Sequence, residues 1–129
     1  MINYFQQLEN VNLIFNLLES NKELTRYLSY RAINNLRLYD GRVLIKQQYR
    51  DETEKNKLEI IKALRNIGNQ DDIDFLEIIF KSESTAMQIE ACRTMYYMSP
   101  ESKERLINVS KKAIPNLDLF IAHVTDKRN

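Results

Sequence analysis

The stretch Leu58–Met98, LEIIKALRNIGNQDDIDFLEIIFKSESTAMQIEACRTMYYM, holds one amphipathic helical pattern that stops at Gly68 and two more in close succession. In the first, Leu58, Ile61, Leu64 and Ile67 recur at helical spacing, with Ile60 and Ala63 widening the apolar face. In the second, Asp71, Asp72 and Asp74 stand where acidic side chains complement the positive end of a helix macrodipole. Its stripe is Ile73, Leu76, Ile79 and Phe80, and Lys81 closes it. Ser82 or Ser84 is placed to cap the third, whose inward positions are Met87, Ala91, Met95 and Met98, with Cys92 beside them.

The flanks read the same way. Tyr4, Phe5, Leu8, Val11, Ile14, Phe15 and Leu18 form a helical face, and Asn10 or Asn12 could divide it into two helices. In ELTRYLSYRAINNLRLYD the stripe is Leu24, Leu28, Ala32 and Leu36, widened by Tyr27, Tyr30 and Ile33. Asp40-Gly41 is the turn signal, glycine accepting the left-handed backbone that ends helices. The following RVLIKQQYRDE has only Val43, Leu44, Ile45 and Tyr49 to bury, and Asp51 with Glu54 has the spacing of a capping box. Ser99-Pro100-Glu101 starts a further helix that buries Leu106 and Ala113, with Ile107 or Val109 between them; Pro115 breaks it, and NLDLFIAHV forms a short last one.

Composition agrees with a helical protein. Two glycines and two prolines in 129 residues are too few for the turns of a sheet protein, and 43% hydrophobic with 29% charged residues is a globular balance. The net charge of +1 provides no bulk field to collect nucleic acid or acidic membrane. The charge is polarised along the chain: residues 1–50 carry seven basic and four acidic side chains, residues 51–100 six and ten. Cys92 is the only cysteine, which rules out an intramolecular disulfide and a cysteine-based metal site. No apolar run reaches the roughly 18 residues of a membrane span, and MINYFQQLEN lacks the pattern of a signal peptide.

Ala32, Ile60 and Ala91 fall at equivalent places along their helices, as do Leu36, Leu64 and Met95, with spacings of 28 and 31. Each period holds two helices, and such a pair buries both faces only by stacking on neighbours. The run ALRNIGNQDDIDFLEIIFKSESTAMQIEACRTM resembles the HEAT-like repeat family, whose second helix reads Val-Arg-x-x-Ala-x-x-Ala-Leu. Here that helix is Met87-Gln88-Ile89-Glu90-Ala91-Cys92-Arg93-Thr94-Met95. The Val-Arg pair is replaced by Met87-Gln88, by Asn56-Lys57 and by Leu28-Ser29 in the three repeats. The resemblance implies an all-α fold: a right-handed α-α superhelix of the HEAT/armadillo-like solenoid class, with about 7–8 helices in 3–4 pairs. The repeats would span roughly residues 10–38, 40–68 and 70–98, with a capping unit over 99–126, all in one domain.

The same resemblance implies a non-enzymatic scaffold or adaptor that presents a groove of second helices to a protein partner, in the cytoplasm or as the cytosolic domain of a longer, membrane-anchored protein. The chain enters its first helix almost at once, so it reads as the C-terminal part of a longer array, and an open face at Tyr4, Phe5 and Leu8 would allow self-association through the N-terminal helix. The alternative is a nucleic-acid-binding or base-repair protein of the helical-repeat type, against which the acidic middle third argues.

Candidate partner-binding residues are Tyr27, Tyr30 and Tyr97 on second helices, with Arg31, because tyrosine and arginine dominate interface hot spots. Arg42, Lys46 and Arg50 recur every four residues and make a basic ridge able to grip phosphates or an acidic partner. No catalytic, cofactor or metal constellation is expected. The aspartates at 71, 72 and 74 read as helix capping, His123 has no nucleophile to serve, and Cys92 reads as core.

Overall fold

The computed structural model describes residues 4–82 and 84–98, and among these every regular element is helical. Six α-helices follow in order: α1 Tyr4–Leu17, α2 Glu23–Asn35, α3 Arg42–Tyr49, α4 Glu54–Ile67, α5 Asp72–Ser82 and α6 Thr85–Met98. A single 3-10 turn, Tyr39–Gly41, leads into α3. The helices and caps expected after Met98, together with His123, lie outside the described residues, as do the Tyr4, Phe5 and Leu8 side chains. No described helix is long and apolar enough to cross a membrane. The chain forms two compact units that divide between Gly68 and Asn69.

In the first unit α1 packs on α2, α3 on α4, and α2 lies along α4. Hydrogen bonds give the direction of that last pair. Near the start of both helices the Asn56 side-chain amide donates to the Glu23 carbonyl at 3.3 Å, and near their ends the Asn66 amide donates to Asn34 Oδ1 at 2.6 Å. Helices bonded start to start and end to end run parallel. The partners are 33 and 32 residues apart in sequence, so the spatial neighbours are offset by more than the 28 of the sequence register.

Helix α4 buries the stripe expected of it: Ile60, Ile61, Ala63, Leu64 and Ile67 are all inside, with Leu58 half-buried. Burying four large aliphatic side chains contributes on the order of 6–12 kcal/mol before chain entropy is charged against it. The box expected at Asp51 and Glu54 does not cap this helix. Thr53 does, its hydroxyl oxygen accepting from the Asn56 backbone N–H at 3.3 Å while donating to Glu23 Oε1 at 2.9 Å. At the other end Gly68 leaves the helix in an extended conformation.

Helix α2 departs most from expectation. Leu24, Leu28 and Leu36 are exposed at 61%, 57% and 60%, and the buried face is Ser29, Tyr30 and Ile33. Ser29 on that face and Arg26 beside it find partners, while the Tyr30 hydroxyl is buried without one. Ser29 Oγ donates back to the Thr25 carbonyl at 2.9 Å. Arg26 pairs with Glu52 through Nε at 2.6 Å and donates to the Ser20 carbonyl at 2.9 Å. A stripe that looks too polar to bury is buried because a carboxylate 26 residues away comes to meet it. Equivalence of Leu36 with the buried Leu64 and Met95 therefore fails at the end of α2.

The turn between α2 and α3 is also built differently. The left-handed residue is Arg37, at φ 52, not Gly41. With the Leu38 N–H on the Ile33 carbonyl and the Arg37 N–H on that of Asn34, α2 ends in a Schellman motif with arginine in the place glycine usually takes. Gly41 has an ordinary φ of −78 and is buried because its neighbours come close: a Cβ there would stand 3.0 Å from Phe15 Cε1 and 3.2 Å from Ile33 Cγ2. In α3 only Ile45 and Tyr49 go inside, and Val43 and Leu44 stay exposed. Helix α1 is continuous through Asn10 and Asn12, and Leu18 just beyond it enters the core, where the Gln48 side-chain amide donates to the Leu18 carbonyl.

The second unit pairs α5 with α6. The expected stripes are inside: Ile73, Leu76, Ile79 and Phe80 from α5, and Met87, Ala91, Cys92 and Met95 from α6, with Met98 half-buried. A reciprocal capping box opens α5. Asn69 Oδ1 accepts from the Asp71 N–H and Asp72 Oδ2 accepts from the Asn69 N–H, both at 2.9 Å. Asp72 is buried, and of the three aspartates it is the one whose carboxylate is seen to cap the helix. Ser84 directly precedes α6, its carbonyl accepting from the Gln88 N–H at 2.8 Å.

Candidate interaction surface

The α2–α4 pair turns one face inward and leaves another open. On α2 the open face is Leu24, Tyr27, Leu28 and Arg31, at the three- and four-residue spacing of one helix side. Helix α4 adds Lys55, whose ammonium sits 4.5 Å from the centroid of the Tyr27 ring. The Arg31 guanidinium lies 5.9 Å from the same centroid and donates to the Tyr27 hydroxyl at 3.2 Å. That bond first, and then Glu59, push the Arg31 guanidinium further above its ordinary value, so its charge is permanent. One half-buried ring thus positions two cations beside two exposed leucines. Cation–π attraction to the ring biases where these side chains point.

Of the residues singled out in the sequence, Tyr27 and Arg31 come together here. Tyr30 is a correction: it is fully buried, a core residue and not a surface contact. Its phenol is pushed above its ordinary value by burial and then by the Glu52 carboxylate, while Arg26 pulls it down. The Tyr30 hydroxyl and Glu52 Oε2 are both buried without a well-aligned hydrogen bond. Tyr30 therefore sits with the Arg26–Glu52 pair beneath the surface.

The basic ridge of α3 is less open than its spacing suggests. Arg42 and Lys46 are half-buried beside Ile45 and Tyr49, and only Arg50 is exposed. The outward side of α3 carries Val43, Leu44 and Gln47, and Leu44, Gln47 and Gln48 join Phe15, Leu18 and Glu19 around a shallow cleft of about 130 Å³. That is too small for more than a side chain or a few waters. Tyr97, on α6 of the second unit, is 62% exposed. Among the described residues no three His, Cys, Asp or Glu side chains gather as a metal site. Burial pushes the Cys92 thiol up to about 12, with Arg93 opposing, so it is a core thiol and not a nucleophile.

Leu24, Leu28 and Lys55 were not among the residues expected at a surface site. The available signal was Arg31, which falls on the same side of α2 as Leu24 and Leu28 and marks that side as open. No protein-family model, no curated protein and no solved structure matches this chain.

Proposed function

We propose that the protein is a non-enzymatic interaction scaffold of the HEAT-like helical-repeat type, with α1–α2 and α3–α4 as successive repeats stacked through their second helices. The supporting observation is the parallel pairing of α2 and α4 at an offset of 32–33 residues. Helical repeats stack their second helices in this direction at about this period, because each repeat buries its open face on the next. The binding face is the open side of that pair: Leu24, Leu28, Tyr27, Arg31 and Lys55. Arg42, Lys46, Arg50 and Tyr97 are secondary contacts, since Arg42 and Lys46 lie on α3, Arg50 just after it and Tyr97 on α6. A reducing compartment such as the cytosol suits a scaffold whose one cysteine is a buried thiol.

The test is affinity capture from the native source with the whole chain as bait, wild type beside the L24S/L28S variant. A partner that binds wild type after purification and loses at least tenfold in affinity for the variant supports the reading. Equal affinity for both forms removes this face. Retention of the protein on duplex DNA at low salt would favour the nucleic-acid alternative instead.

A further inference from the structure

We draw no further inference here: the strongest candidate, the exposed leucine patch of α2 at Leu24 and Leu28 beside Tyr27, has Glu23 and Glu59 set against Arg31 and Lys55, and nothing in the structure shows what covers it.

Discussion

Replacing Glu52 by glutamine removes one charge from the Arg26–Glu52 pair and keeps the shape of the side chain. The pair is 2.6 Å long, and its side chains are 17% and 4% exposed, so Glu52 is inside and Arg26 at the rim. Removing one partner of a fully buried pair typically costs about 3–5 kcal/mol, because the other charge is stranded. Here Arg26 keeps its bond to the Ser20 carbonyl and some water, which lowers the expectation to roughly 2–3 kcal/mol. The loss should appear as faster hydrogen exchange at the amides of α2 and α4, read by mass spectrometry, with α5 and α6 little changed. A double-mutant cycle with Arg26→Met separates pairing from packing, and a coupling of about 1.5–3 kcal/mol is expected for a hydrogen bond to a charged group. A loss under about 1 kcal/mol together with a coupling under about 0.5 kcal/mol would refute the claim that this pair is what allows the polar face of α2 to be buried.

Four further outcomes follow. Leu28→Ser should change stability by no more than about 0.5 kcal/mol, whereas Ile33→Ala should cost about 2–5 kcal/mol in urea unfolding, the opposite of what the leucine stripe of α2 implies. Thr53→Ala and Asn69→Ala should each cost about 1 kcal/mol by loss of a cap, with Asp51→Ala near neutral, as thermal unfolding can show. Gly41→Ala should destabilise by about 1–3 kcal/mol through overpacking against Phe15 and Ile33, and equal or greater stability would mean those side chains yield freely. Cys92 should resist alkylation at pH 8 until the chain unfolds. Because its folded value is raised above the ordinary 9.0 to about 12, the folded state holds the proton longer, so its contribution to stability is full below pH 9 and is lost as pH rises toward 12. A Cys92→Ala variant with an unchanged alkaline slope would contradict that.

The helical class was legible in the sequence, and so were the cores of α4, α5 and α6. Their apolar residues fall on one side with the charges on the other, and local periodicity needs no partner to be read. The same holds for Asp72, whose capping bond joins residues three positions apart. Helix α2 shows the limit. By spacing its inward face is centred on Leu24, Leu28, Ala32 and Leu36 and widened by Tyr27, Tyr30 and Ile33. Yet of these only Tyr30 and Ile33 are buried, joined by Ser29, while the three leucines stay outside. A half-buried arginine at the rim is stabilised by a carboxylate, and which carboxylate arrives is decided by packing across 26 residues, not by local pattern. The place of Gly41 follows the same logic, since close approach by Phe15 and Ile33 cannot be seen in a turn signal. The candidate surface is a product of that turn of α2. Tyr27 and Arg31 are neighbours on one helix and could be named from sequence, but Lys55 joins them only because α4 lies parallel to α2, and Leu24 and Leu28 are surface only because the polar face found its partners first.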